Sequence, residues 1–354
     1  MGVDTSIATE LIELRGLLQG ATDIAERAGM PRRDAQLLAD TLLQAELWGH
    51  RSHGLLRLPW YIARIESGAM QARTEPETLL DTGPLMLMDG KRGVGQVLAQ
   101  QATQQAVHRA KSFGVGVVGV RDSNHFGTAM YFTRQAAAEG CVSILTTNAS
   151  PAMAPWGGRT KGIGTNPWSI AAPYGDRVVV LDIANTAVAR GKIYLARERG
   201  EQIPDGWAMT ADGAATTDPS AAIDGVILPM AGHKGYAISF MMDVLSGALT
   251  GSHVGNRVGG PYEAGRVSGA GHLVIAIDAA TMDVDGTYAG LIEELVAQVH
   301  GTPLAVGSDE VVYPGELEDR AEAAARAAGG IALPDKTIKD LHDLAASYGV
   351  SLGF

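Results

Sequence analysis

Leu37, Leu38, Leu42, Leu43 and Leu47 recur at the spacing of one helix face, and Pro31 suits the turn that opens it. Residues 1 to about 70 read as helical throughout. From about residue 84 the texture changes. Pro84-Leu-Met-Leu-Met88 is a short apolar run stopped by Asp89-Gly90, and 115–120 is a valine run of strand character. Between them 97–113 has helical periodicity, as does 131–139. Strands are expected at 142–147, 177–183 and 272–277, and a buried helix at 241–249. Helical patterns return at 288–300, at the alanine-rich 316–328 and at 334–348. The pattern predicts helical segments 1–75 and 285–354, free to pack together, around a central α/β region 76–284. No internal repeat is visible.

Residues 251–271 hold seven glycines and few large apolar side chains. They read as a mobile loop over a site or as a long surface excursion.

The 354 residues are 46% hydrophobic and 19% charged, with a net charge of −11. Such a chain builds a sizeable core, and without a basic block it offers nothing to nucleic acid. The single cysteine, Cys141, sits in apolar Cys141-Val-Ser-Ile-Leu145 and reads as core. The N-terminus has neither a basic nor an apolar leader region, and the best apolar stretch, 236–249, is cut by Asp243. A reducing cytoplasm is the expected compartment, with no membrane contact.

Gly114-Val-Gly-Val-Val-Gly119 has the glycine spacing of a dinucleotide fingerprint in the wrong context. That fingerprint needs a strand before the glycines and a helix opening at them. Here a helix comes first and the glycines fall inside the strand. Walker A, His-x-x-x-His and Cys-x-x-Cys patterns are also missing, so no metal site is expected.

Short segments that place a titratable group beside glycine are the better candidates. In Arg51-Ser-His-Gly-Leu-Leu-Arg57, His53 and Arg57 would share a face if the segment is helical. An arginine binds a carboxylate while an imidazole exchanges a proton with the neighbouring oxygen, a pairing suited to a 2-oxo or 2-hydroxy acid. The plainer reading is a solvated basic helix end. His125 follows the valine strand in Asp122-Ser-Asn-His-Phe-Gly127, as ligand group or helix cap. Thr165 and Asn166 in Gly162-Ile-Gly-Thr-Asn-Pro167 could present donors, although turn chemistry alone explains them. Asp182 ends an apolar strand and needs a partner or a ligand. Lys234, beside His233 and Gly235, could hold a phosphate at a helix N-terminus or be a surface cation.

Taken together, Ser52-His-Gly54 with Arg57, Asn124-His-Phe-Gly127, Ala154-Pro-Trp-Gly-Gly158, Gly164-Thr-Asn-Pro167, Gly232-His-Lys-Gly235 and Tyr313-Pro-Gly-Glu316 resemble the malate/L-lactate dehydrogenase family of the non-Rossmann type. That family includes ureidoglycolate and sulfolactate dehydrogenases, 2,3-diketogulonate reductase and Δ1-piperideine-2-carboxylate reductase. The motifs run in order across residues 45–320. The resemblance implies an α+β, family-specific NAD(P)-binding fold with a largely antiparallel central sheet and helical ends. It implies a homodimer that moves a hydride between NAD or NADP and C2 of a 2-hydroxy/2-oxo acid, or that reduces a cyclic imino acid.

Carried over by residue, His53 resembles the proton donor, supported by Ser52, and Arg57 the carboxylate clamp. His125 is the base in some relatives, and with Phe126, Gly127, Thr128 and Ala129 it lines the nicotinamide in others. Thr165, Arg190 and Gly191 resemble substrate contacts. Asp182, Ile183, Ala184, His233, Lys234, Gly315 and Glu316 resemble cofactor contacts. One departure is Lys192 after Arg190-Gly191, where some imine-reducing relatives carry an acid. The choice between NAD and NADP stays open, with Arg159, Lys161 and Arg190 as unplaced partners for a 2′-phosphate.

Overall fold

Seven strands form the central sheet of this computed structural model, which describes residues 10–354. Residues 1–9, on which the expectation about a leader segment rests, lie outside the described residues. The strands are β1 (Glu77–Asp81), β2 (Leu85–Asp89), β3 (Val115–Ser123), β4 (Cys141–Thr147), β5 (Trp168–Tyr174), β6 (Arg177–Ile183) and β7 (Ala270–Asp278). Their order is β1-β2-β3-β7-β4-β5-β6. Five of the six neighbouring pairs are antiparallel. Only β2 and β3 run parallel, because a helix crosses between them. The sheet is largely antiparallel, as expected.

The helices are α1 (Leu14–Arg27), α2 (Arg32–Leu47), α3 (Leu58–Glu66), α4 (Gly95–Phe113), α5 (Met130–Ala138), α6 (Arg190–Arg199), α7 (His233–Asp243), α8 (Tyr288–His300), α9 (Glu316–Ala328) and α10 (Asp335–Ser347), apart from single turns and two shorter helices. Leu17, Ile24, Leu38, Leu42, Leu58 and Ile62 share one core with Leu341 and Ala345 of α10. Ile12–Glu13 pairs with Gly330–Ile331 in a small two-stranded sheet. Helix α8 lies elsewhere: its Val296 packs against Tyr174 of β5 and Tyr313.

A second, five-stranded sheet of two- and three-residue strands, together with α6, has its own small core of Val188, Ile193, Ala208 and Ile227. Strands this short leave no periodicity to read in a sequence.

The rejected glycine pattern has a packing explanation. Gly114 ends α4 in the left-handed region at φ 82°. A Cβ on Gly116 would lie 2.0 Å from the carbonyl oxygen of Ala106, and one on Gly119 3.0 Å from Leu87. These glycines let α4 and β2 approach the backbone of β3; they cradle no phosphate.

Two expectations need correction. The helix expected at 241–249 begins at His233, with a π-helical turn at Val244–Ala248. It is not wholly buried, since Phe240, Met241 and Leu249 are exposed. Residues 251–271 are also no free excursion. Buried Arg64 donates to the carbonyls of Gly260 and Glu263 at 3.1 and 2.8 Å, Ser67 to that of Ala264, and Asp243 accepts from Gly255 N–H at 2.9 Å.

Gly116→Ala should destabilise the fold by about 1–3 kcal/mol, because a helix backbone must move to admit the methyl. Urea unfolding measures this; a change below a few tenths of a kcal/mol would contradict the packing account.

Candidate active site

Between α2 and α3 the chain makes two 3-10 turns, Arg51–His53 and Leu55–Arg57, separated by extended Gly54. The single helix face expected for His53 and Arg57 is therefore absent. Gly54 lies so close to buried Glu46 that a Cβ would stand 1.9 Å from Oε1. The same oxygen accepts the Leu55 N–H at 2.9 Å. Arg57 folds back, its Nε donating to the Ser52 carbonyl at 2.6 Å and its guanidinium 4.2 Å over the Trp60 ring. Its terminal nitrogens have no partner among the described residues, leaving a fixed fork for a carboxylate. His53 Nδ1 lies 2.9 Å from Ser52 Oγ.

The second histidine comes from the turn after β3. Asn124 anchors that turn: its amide donates to the carbonyls of Arg92 and Gly93, and its Oδ1 accepts from Arg64 at 2.9 Å. The turn rests on the first residue of α4, Gly95, where a Cβ would be 2.4 Å from the carbonyl oxygens of Asn124 and His125. The His125 ring stacks on His53 with centroids 5.8 Å apart and planes 17° from parallel. The sequence-predicted Ser52, His53, Arg57 and His125 thus converge.

His125 Nδ1 accepts from the Gly127 N–H at 3.3 Å and faces the Tyr61 hydroxyl at 2.6 Å. A main-chain N–H can only donate, so Nδ1 is the acceptor of both bonds and the ring proton sits on Nε2. Burial pushes the Tyr61 phenol up to about 12 and keeps it a donor. Burial, then the charges of Arg57 and His50, push His53 down to about 3. His125 is lowered well below the ordinary imidazole value by burial, then by His53 and Arg57. Both rings are neutral at neutral pH. Tyr61 and Trp60 were not foreseen; the only signal was Tyr61 four residues beyond Arg57 on α3.

The cofactor candidates fall into two groups. Asp182 at the end of β6 accepts the N–H groups of Met130, at 2.9 Å, and Ala129, so it caps α5. Burial raises its pKa. Gly315, left-handed at φ 95°, abuts Val180, and the Val180 N–H donates to Pro314 O at 3.0 Å. Residues 125–129, 182–184 and 315–316 therefore surround the start of α5 and the end of β6. Within this group Phe126 is buried, and Ile183 and Ala184 are exposed. The Glu316 carboxylate is committed to His300, Arg320 and the Tyr313 N–H, and its own N–H donates to the Tyr313 carbonyl at 3.2 Å.

The second group gathers around Asn185, which the sequence reading missed. Buried Asn185 donates to the carbonyls of Thr165 and Asn166 at 3.1 and 2.7 Å and accepts from Trp168. Its own carbonyl accepts the Met230 N–H at 3.0 Å. That joins Thr165, the 182–184 segment and the approach to α7, whose first residues, His233 and Lys234, are exposed. The Asn166 amide is internal, bonded to Ala149 N–H and Ser239 O, and cannot serve a ligand.

Arg190 and Gly191 open α6 in the small-sheet layer. Arg190 faces Ile223 O at 3.5 Å and shares a crevice with Lys161, without contact to the histidine pair. Arg159 turns to Asp212 O instead.

These residues fit a nicotinamide dinucleotide. The Thr128 hydroxyl is buried without a partner among the described residues, Gly127 at φ 87° has open space where a Cβ would stand, and Lys234 sits at a helix N-terminus. Among the described residues no group of three His, Cys, Asp or Glu side chains is arranged to hold a metal ion, and no helix is long and apolar enough to cross a membrane.

Residues 12–342 match the family model described as malate/L-lactate dehydrogenase. The chain is 36% identical over 329 residues to the malate/(S)-sulfolactate dehydrogenase of Methanothermus fervidus, covering 93% of this chain and 95% of that one. It is 36% identical over 299 residues to the ureidoglycolate dehydrogenase (NAD(+)) of Escherichia coli K12, covering 83% and 84%. The structure of the sulfolactate dehydrogenase from Methanocaldococcus jannaschii superposes with a TM-score of 0.92 at 33% identity, covering 97% and 98%.

Glu46, beneath the 51–57 segment, is pushed up to about 7, chiefly by burial. Its folded pKa exceeds its unfolded value, so its stabilising contribution is complete below about pH 4.5 and lost as pH rises through 7. Glu46→Gln keeps the acceptor for Leu55 without a buried charge. It should be more stable than the parent above pH 7 by up to about 3 kcal/mol, and the gain should vanish below pH 5. Urea unfolding at pH 5 and pH 8 checks this; equal differences at both would refute it.

Proposed function

The chain belongs to the malate/L-lactate dehydrogenase family, and from that premise we propose that it transfers a hydride between NAD or NADP and C2 of a 2-hydroxy/2-oxo acid of the malate, lactate or ureidoglycolate type. It is a nicotinamide-dependent oxidoreductase acting on CH–OH. The observation that carries the substrate reading is one fixed guanidinium fork beside two stacked, neutral imidazoles.

In reduction, Arg57 takes the substrate carboxylate on its free terminal nitrogens. The C2 oxygen lies against the two imidazoles, with Thr165 as a further substrate contact. His125, its proton held on Nε2 by Tyr61 and Gly127, donates a hydrogen bond to that oxygen. His53, steadied by Ser52, delivers the proton that reduction consumes. The arriving carboxylate offsets the Arg57 charge, which after burial contributes to the low His53 value, and so favours a proton on His53. In oxidation, neutral His53 accepts the hydroxyl proton. A nicotinamide bound here would supply or receive the hydride. Residues 125–129, Asp182 to Ala184, His233, Lys234, Gly315 and Glu316 would hold the cofactor. Arg190 and Gly191 remain candidates for the far end of the substrate.

A homodimer in a reducing cytoplasm completes the proposal. The exposed apolar side chains of α7 and α8, among them Phe240 and Leu291, are candidate faces for the second copy, and the lone Cys141 is buried.

The direct test is oxidation of NADH and of NADPH with pyruvate, oxaloacetate, 3-sulfopyruvate, 2,3-diketogulonate, oxalurate and piperideine-2-carboxylate. Turnover is expected with a 2-oxo acid; turnover of the imino acid alone would replace the proposal with imine reduction. On the best substrate His53→Ala should lower kcat by roughly 100-fold or more with cofactor Kd nearly unchanged. Equal loss of both would remove His53 from the chemistry.

The pH profile follows from the low His53 value. For hydroxy-acid oxidation, kcat/KM should stay level from pH 7 down to about 5, because the required base remains unprotonated in the free enzyme. For 2-oxo acid reduction it should fall about tenfold per unit as pH rises through 7. An acid limb near pH 6.5 in oxidation would contradict the assignment.

A further inference from the structure

A third histidine, fully buried, stands outside the cluster. His272 lies on β7, the central strand, and is 0% exposed. Its register partners are Val120 on β3 and Thr147 on β4, and the pairing with β3 shifts between Ala270 and His272. Its Nδ1 is 2.8 Å from Thr147 Oγ1 and its Nε2 is 2.7 Å from Ser123 Oγ. The rings of Phe126 and His272 meet edge to face with centroids 4.7 Å apart.

The hydrogens have a consistent assignment. The Thr147 hydroxyl has the carbonyls of Gly271 and Asn148 within 3.1 and 3.2 Å. It can donate there and accept from Nδ1–H, while the Ser123 hydroxyl donates to Nε2. Burial pushes His272 down to about 3, so the ring is neutral.

The position matters because Ser123 and Thr147 are the last residues of β3 and β4. The loop after β3 carries His125 and Phe126. The loop after β4 contains Ala149, whose N–H donates to Asn166 Oδ1 beside Thr165. A side-chain amide offers both its groups at one end of a short stem. A flat ring with nitrogens on two edges spans both hydroxyls and still presents itself to Phe126.

We propose that His272 is a positioning residue for hydride transfer: by bridging Ser123 and Thr147 under Phe126, it fixes the His125 turn relative to the loop that braces Thr165. The inference rests on the dehydrogenase reading above and adds a residue to it.

The test compares His272→Phe, His272→Asn and the milder Ser123→Ala. Misplacing the turn should lower kcat on the order of 10–100-fold in His272→Phe, with KM for the 2-oxo acid and Kd for NAD(P)H changed less than about threefold. The primary isotope effect on kcat with C4-deuterated cofactor should rise toward its intrinsic value as hydride transfer becomes slower. His272→Asn should recover part of the loss. Ser123→Ala should show a smaller loss, and the double variant His272→Phe/Ser123→Ala should be no worse than His272→Phe alone. A lowered Tm with kcat and isotope effect unchanged below it would overturn the proposal, leaving a purely structural histidine.

If the parent enzyme reduces no 2-oxo acid, the dehydrogenase reading fails separately. The emission of bound NADH then reads His272: a shift in Ser123→Ala and His272→Asn supports the positioning role, and unchanged emission overturns it.

Discussion

The close approach of α4 to the backbone around β3 is the constraint on which the site rests. At Gly116 the strand presses against the helix carbonyl of Ala106, and at Gly95 the helix start presses against the carbonyls of Asn124 and His125. No side chain fits at either contact. The helix therefore sets both the height of β3 in the sheet and the path of the turn that follows it. Asn124 locks that path with three hydrogen bonds, so His125 meets the 51–57 segment without adjustment. Precision of this kind comes from packed backbone and is hard to build on mobile loops.

The electrostatics follow from that packing. Two imidazoles stacked beside a guanidinium cannot all be charged once water is excluded, and the two rings give way because arginine does not. Neutral rings must then have their single proton placed. Tyr61 and Gly127 place it for His125, and Ser52 faces Nδ1 of His53. The site holds one permanent positive charge and two proton carriers, which suits an anionic substrate whose reduction consumes one proton.

Much of the fold was legible because the long elements carry strong periodicity. The valine run, the leucine repeats and the alanine-rich helix near the C-terminus all lie where expected. The small sheet was not legible, since two-residue strands are defined by partners and not by pattern. The converging residues Ser52, His53, Arg57 and His125 were visible as titratable groups beside glycine. Tyr61, Asn185 and His272 were not, because each acts through a partner 20 to 149 positions away that only the fold supplies. The shared helix face assumed for His53 and Arg57 failed because Gly54 is squeezed by Glu46, a long-range contact invisible in spacing.

Arg64 illustrates a division of labour in the molecule. One guanidinium grips the Asn124 side chain on one side and the carbonyls of Gly260 and Glu263 on the other. Toward the turn it reads a particular residue, whereas toward the glycine-rich loop it reads only main chain, which any amino acid provides. The loop therefore keeps this anchor under any replacement that preserves its backbone path, which at Gly260 excludes a Cβ, 2.8 Å from the Tyr262 ring. The turn before His125 has no such latitude, because its grip on Arg64 runs through the one side-chain oxygen of Asn124.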